Sequence, residues 1–259
     1  MSGPPRLNLN RPYGDGVARI TLDRASHLNR LHREDLHALM AHFAALQSDP
    51  AVRALVITGS GRTFSSGFHL GELVEGAAAA RDDPKLFERA VQALQALPMP
   101  TIARLNGSVY GGATDLALAC DFRVGVHGME LRMPAARLGL HYYASGLQRA
   151  VERLGPSTAK RLFLLAEAVP AAELLRLGWL DRLVEPHGLD AEIDALTLAL
   201  SSNAPLAVRA MKASLDEIAG GRADPQAMND REARCAASAD LREGLAAYAE
   251  RRPPRFTGH

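Results

Sequence analysis

Three observations predict an α/β fold with a helical C-terminal region. Strand-like and helix-like segments alternate through the first half of the 259-residue chain. One strand candidate, AVRALVITG at 51–59, is apolar at nearly every position, as expected for a strand covered on both faces. From about residue 145 onward the pattern becomes almost wholly helical. A chain of this length buries a substantial core, so the default is a folded globular protein.

The elements follow in order. GVARITL (16–22) reads as a strand, and HREDLHALMAHFAAL (32–46) as a helix with Leu36, Leu39, Met40, Phe43 and Leu46 at helical spacing, closed by Ser48-Asp49-Pro50. The strand at 51–59 completes a strand–helix–strand unit. KLFERAVQALQAL (85–97) predicts a helix that Pro98 and Pro100 break before the strand TIARLNG (101–107). Two short strands follow, DFRVGV (121–126) and MELRMP (129–134), and the alternation implies a parallel or mixed sheet with crossover helices. Helices are then predicted over 146–155, 157–168, 171–178, 189–202, 204–221 and 226–252, with a short strand in WLDRLVEP after Gly178, whose position calls for a left-handed residue. No linker or internal repeat is visible. The expected organisation is a core over 1–200 and a helical region over 201–259, whose surplus of apolar residues either covers the first layer or forms a subunit interface, the latter favoured.

Composition narrows the function classes. Thirty Lys and Arg against 29 Asp and Glu give a formal charge of +1, which argues against nucleic acid or an anionic membrane as main partner. No apolar run is long enough for a membrane span, and the N-terminus lacks the apolar stretch of a signal peptide; a cytoplasmic protein is expected. Cys120 and Cys235 are far apart in apolar helical contexts and read as small core residues. His32, His37 and His42 are spread around one helix and read as solvated. With no HExxH motif and no Cys/His cluster, no metal site is expected.

Two glycine-bearing segments carry chemistry. ITGSGRTFSSGFHLGEL (57–73) follows a strand, but lacks the third glycine of a dinucleotide fingerprint and the Lys-Ser/Thr of a phosphate loop. Its Ser65-Ser66-Gly67-Phe68 turn precedes Leu70 and Leu73 at helical spacing. LNGSVYGGATDLALACDFRV (105–124) has the same form, with Gly107, Gly111 and Gly112 ahead of an apolar helix bearing Asp115. Two such turns in one sheet can aim two backbone N–H groups at one point, the geometry of an oxyanion hole. The same glycines equally permit close packing of helix on sheet. His141, Tyr142 and Tyr143 form a polar aromatic cluster in a loop and are candidates to face a ligand.

Segments 53–73, 102–124, 133–155, 178–186 and 239–258, taken together and in register, resemble the enoyl-CoA hydratase/isomerase (crotonase) superfamily over nearly the whole chain. The resemblance implies a spiral of ββα units with C-terminal helices that assemble homotrimers or homohexamers. It implies an acyl-CoA thioester substrate and no separate cofactor, coenzyme A being part of the substrate. The thioester oxygen would accept from the N–H groups of Phe68 and Gly112 as it becomes an enolate, the latter favoured by its place at a helix N-terminus. Asp115 occupies the position of one family glutamate and is the expected acid/base. Ala135, after Met133-Pro134, replaces the other.

That loss puts two-acid hydration in doubt and leaves 1,3-proton transfer open. Tyr143 is expected to orient or donate a proton, being a poor base unless its pKa falls. Gly67, His69, Tyr110, Gly111, Ala135, His141 and Tyr142 are expected around the acyl group. Ser26, His27 and Leu28 are expected by the adenine, and Arg62 by a phosphate. Hydration or isomerisation leads; thioester hydrolysis, C–C cleavage or an inactive acyl-CoA-binding protein are the alternatives.

Overall fold

The computed structural model describes residues 3–8, 16–72 and 83–259; Leu73, the end of one predicted helical spacing, lies outside them. A six-stranded sheet runs in the order β1 (Arg6–Asn8), β2 (Val17–Leu22), β3 (Ala54–Gly59), β4 (Thr101–Leu105), β6 (Phe122–Val126), β9 (Arg182–Val184). All neighbours pair in parallel except β1 with β2. A second sheet holds β5 (Val109–Tyr110), β7 (Glu130–Arg132) and β8 (Val169–Pro170). The chain lays β4 in the first sheet, β5 in the second, β6 in the first and β7 in the second, which is the spiral of ββα turns that the resemblance implies.

Burial explains the assignment of each element. Every residue of β3 is buried, as its unbroken apolar run requires. α1 (Arg33–Gln47) buries Leu36, Leu39, Phe43 and Leu46, the stripe expected from their spacing. α2 (Leu86–Gln95) does the same with Leu86, Ala90, Val91 and Leu94. α3 (Ala113–Leu118) is wholly buried. α4 (Ala144–Lys160) kinks where Gly155 takes a φ of +73° ahead of Pro156, so the two predicted helices run almost end to end. A single π-helical turn, Arg161–Leu165, then stops the chain short of the predicted 168.

α5 (Ala171–Arg176), α6 (Leu189–Ser201), α7 (Pro205–Ala219), α8 (Pro225–Ala237) and α9 (Ala239–Glu250) complete the fold. The long helix predicted over 226–252 is two helices. Ser238 leaves helical geometry and its hydroxyl caps the next helix by accepting from the Leu241 N–H at 3.0 Å. The C-terminal helices are fixed to the sheet by polar contacts: Arg53 donates to Ser201 and Phe256 carbonyls, and Lys212 pairs with Asp121. Among the described residues no helix is long and apolar enough to cross a membrane.

Three readings of single residues are corrected. Cys120 is buried, but Cys235 sits half-exposed on a helix that buries nothing. His37 is exposed, whereas His42 bonds to the Pro5 carbonyl at 2.9 Å. His32 is not a solvated residue: it opens α1, where Asp35 accepts its backbone N–H at 2.8 Å.

Candidate active site

The two glycine turns are built side by side. The loop after β3 is hung on Asn29, whose amide donates to the carbonyls of Ser60 and Thr63, each at 2.8 Å, while its own carbonyl accepts from the Ser65 hydroxyl at 2.7 Å. Phe64 and Tyr110 N–H groups bond across to Ser108 and Ser65 carbonyls at 3.1 and 3.0 Å, zipping this loop to the turn after β4. Gly67 then lies against the second turn. Its φ of +83° favours glycine, and a Cβ there would stand 2.7 Å from the Gly112 nitrogen and 2.7 Å from the Tyr110 oxygen.

The direction of the Phe68 N–H follows from its neighbours. Leu31 takes the Gly67 carbonyl and gives its own carbonyl to His69 N–H, both at 2.8 Å. Bonding alternates along an extended segment, so the intervening Phe68 N–H faces the other side. Among the described residues neither Phe68 nor Gly112 donates its N–H to another backbone group. Both line a cavity of about 670 Å³. Gly112 is glycine for want of space, because a Cβ would meet the Phe87 ring at 2.6 Å. The helix that follows Gly112 has only six residues, so little macrodipole reaches this donor and the expected helix-dipole help is slight.

The rest of the wall is mainly apolar: Leu86, Phe87, Met133, Ala135, Leu138 and Leu140, with Tyr110, His141, Tyr142 and Tyr143 as its polar aromatic members. The three-residue cluster at 141–143 therefore faces the cavity as the sequence suggested. Tyr110 directs its hydroxyl to Glu130 at 3.1 Å. Phe87, which sequence reasoning missed, ties the site together, its ring centroid 6.0 Å from that of Phe68 and 6.2 Å from that of Tyr143.

Asp115 departs from its expected place. It is 2% exposed, does not line the cavity, and sits behind Tyr143, whose hydroxyl donates to its Oδ2. Its Oδ1 accepts from Arg149 Nη1 at 2.5 Å, and Arg149, also 2% exposed, is anchored by donating to Gln95 Oε1 at 2.9 Å. Tyr142 donates to the Tyr143 oxygen at 3.2 Å and stacks on its ring. Burial, then the neighbouring tyrosine and Asp115, push the Tyr143 pKa far up; burial, then the Asp115 charge, push up that of Tyr142. Both are neutral phenols at physiological pH. Arg149 is pulled toward neutrality by burial, but Asp115 outweighs this and holds it charged. Its signal in the sequence was faint: a cation between Gly146 and Ala150, two small buried positions of one helix.

Other predicted residues fall outside the cavity. His69 does not line it and lies beside His32, the rings tilted by 31° with centroids 4.6 Å apart. Glu72 joins them by bonding to His32 Nδ1 and accepting the Arg33 N–H at 2.8 Å. Burial works against ionisation of Glu72, yet the Arg33 N–H and His32 outweigh it and hold the carboxyl below its usual range. His32, His69 and Glu72 place ligand-type atoms within 4.8 Å of one another, a grouping the sequence reading did not find. Arg30 Nε also donates to His32 Nε2, at 3.1 Å, so a guanidinium adjoins the cluster. Ser26 and His27 lie in a short 3-10 turn (Ala25–His27) that ends at Leu28, with φ +53°. The loop bearing Arg62 packs on it, since a Cβ at Gly61 would come within 3.0 Å of Ala25, and none of these four residues lines the cavity.

Known proteins resemble the chain over nearly its whole length. The enoyl-CoA hydratase/isomerase family model matches residues 13–259. A crotonyl-CoA hydratase of Syntrophomonas wolfei is 32% identical, covering 93% of this chain and 94% of its own. A carnitinyl-CoA dehydratase of Salmonella arizonae is 32% identical over the whole of both chains. The crystal structure of an enoyl-CoA hydratase subunit from Geobacillus kaustophilus superposes with a TM-score of 0.86 at 30% identity, over 100% of this chain and 99% of its own.

Proposed function

The chain belongs to the enoyl-CoA hydratase/isomerase family, and on that premise we propose that it adds water across the double bond of a 2-enoyl-CoA. The observation that carries the reading is the seating of Gly67 against the Gly112 nitrogen. It brings the Phe68 and Gly112 N–H groups together at the wall of the 670 Å³ cavity. In that position they donate to the thioester oxygen as it gains charge. Such a donor contributes about 3 kcal/mol of barrier lowering, because it is fixed before the reaction starts.

The acyl chain runs along Phe87, Met133, Ala135 and Leu138. Ala135 leaves that wall apolar where a second acid is expected, so the polar chemistry falls to the Tyr143 side. The CoA moiety extends past the charged part of the lining, where Arg33 and Lys85 stand with Asp83 and Glu88, with its adenine over Ser26, His27 and Leu28 and a phosphate near Arg62. Homotrimeric or homohexameric assembly, through the apolar stripes of the C-terminal helices, belongs to the same reading, as does a cytoplasmic setting. A second reading, double-bond isomerisation, draws on the same geometry: one carboxylate is enough to move a proton from C2 to C4.

The test is incubation with 2-enoyl- and 3-enoyl-CoAs in D₂O, followed by mass spectrometry. Incorporation of OD at C3 together with deuterium at C2 is the expected result. Deuterium exchange with double-bond migration and no added oxygen selects the isomerase. Release of free CoA would replace both readings with thioester hydrolysis.

A further inference from the structure

Asp83 and Glu88 line the cavity themselves; Asp115 meets its polar aromatic cluster through Tyr143, yet the cavity does not reach it. Tyr143 stands between them, donating to Asp115, accepting from Tyr142, and itself lining the cavity. Behind Asp115 lies Arg149, equally buried and held in turn by Gln95. A buried ion pair of this kind adds little net stability compared with an apolar replacement, so its retention beside a cavity calls for another explanation.

Resting on the hydration reading above, we propose that Tyr143, Asp115 and Arg149 form one proton relay, in which Tyr143 alone touches the reacting groups and serves both to deprotonate water and to protonate C2. In the forward step a water O–H bond breaks. Its proton passes to Tyr143 Oη while the tyrosine's own proton passes to Asp115 Oδ2. The water oxygen bonds to C3, and the C2=C3 electron pair shifts toward the thioester oxygen, held by the Phe68 and Gly112 N–H groups. In the return step the Asp115 proton goes back to Tyr143 Oη, the tyrosine gives a proton to C2, and the enolate becomes a thioester again. One water is added and nothing is oxidised or reduced. Because both halves of the water come from one wall, the addition is syn.

Each member has a reason to be as it is. Tyr143 stays a neutral phenol, so it conducts a proton without becoming a base in its own right. Arg149 is a positioning residue. Its guanidinium grips Asp115 Oδ1 at 2.5 Å, which leaves Oδ2 turned to the Tyr143 hydroxyl.

The relay is tested with Tyr143→Phe, Asp115→Asn, the double variant, and Arg149→Met, each checked for native circular dichroism. Tyr143→Phe removes one hydroxyl and is expected to lower kcat by about 10²- to 10⁴-fold with KM little changed. The double variant should lose no more than the worse single one, since the residues act as a unit. Arg149→Met should lower kcat about tenfold or more with KM little changed, a split that a merely structural role would not produce. Wild-type kcat in Tyr143→Phe, or losses that multiply in the double variant, would overturn the relay even if hydration is confirmed. If the wild-type protein hydrates no enoyl-CoA, exchange at C2 of a 3-enoyl-CoA in D₂O decides: exchange lost in Tyr143→Phe keeps the relay and removes only the hydratase reading, while its persistence, or its absence from the wild type, removes the relay.

Discussion

Helices α2 and α7 solve the same problem in opposite ways. Both are amphipathic, yet α2 buries Leu86, Ala90, Val91 and Leu94 in the core, packed against α1, whereas α7 buries none of its residues and leaves Met211, Leu215 and Ile218 exposed at positions i, i+4 and i+7. α9 repeats the second pattern with Leu241, Leu245 and Tyr248. A single exposed leucine is ordinary; two helical stripes are not. The difference teaches that the N-terminal part closes its own core around the active site, while the C-terminal helices carry apolar faces that no other described residue covers.

The largest expected effect sets those two helices against each other. Leu94→Asp puts an unpaired carboxylate at a site with 0% exposure and should cost about 4 kcal/mol or more, enough to unfold a marginal domain. Leu215→Asp, at a position 65% exposed in the single chain, should leave the chain folded and reduce its assembly size in sedimentation. Equal loss of stability with no change in assembly would abolish the contrast.

Ion pairs extend the comparison at smaller scale. Arg149→Met strips Asp115 of its partner in a buried setting and should cost about 3–5 kcal/mol in denaturant unfolding. The pair between Glu243 and Arg252 in the C-terminal region lies in solvent. Arg252, then the Arg255 N–H, hold the Glu243 carboxyl down to about 2, so whatever it contributes is present above the usual 4.5 and lost as pH falls toward 2. Salt screens such a pair, and Glu243→Gln should leave the melting temperature unchanged at neutral pH.

What the sequence made legible follows the same division. Elements with a strong period were readable: the continuous run of β3, the 3.6-residue stripe of α1, the proline stop after α2. So were the two glycine turns, because close backbone approach leaves glycine few substitutes. β1 and β8 were not, since strands of three and two residues carry too little pattern. The break at Ser238 was hidden because α8 and α9 run on with compatible composition, although a serine followed by Ala-Asp-Leu is itself a capping signal. In the site, Asp115 and Tyr143 were identified but their order was not. Which of them meets the cavity depends on how α4 lies across α3, and no local pattern encodes that. Arg149 and Phe87 were invisible for the same reason: each acts through a contact with an element far away in sequence.

The two cysteines give the smallest and cheapest contrast. Burial, with a contribution from Asp121, pushes the Cys120 thiol up to about 12. The thiolate is the nucleophile, so at pH 8 the folded protein should protect Cys120 from a thiol reagent until denaturant is added. The raised value also fixes a sign: Cys120 favours the fold fully below its ordinary 9, and that preference is lost as pH climbs through 12. Cys235 lies partly exposed on α8, which packs between the two helices bearing apolar stripes. It should react readily in the native protein if α8 stays open to solvent. If instead it is protected in the native protein and becomes reactive in Leu215→Asp, α8 is covered by the subunit contact, and the helices that fail to close a core within one chain close it between chains.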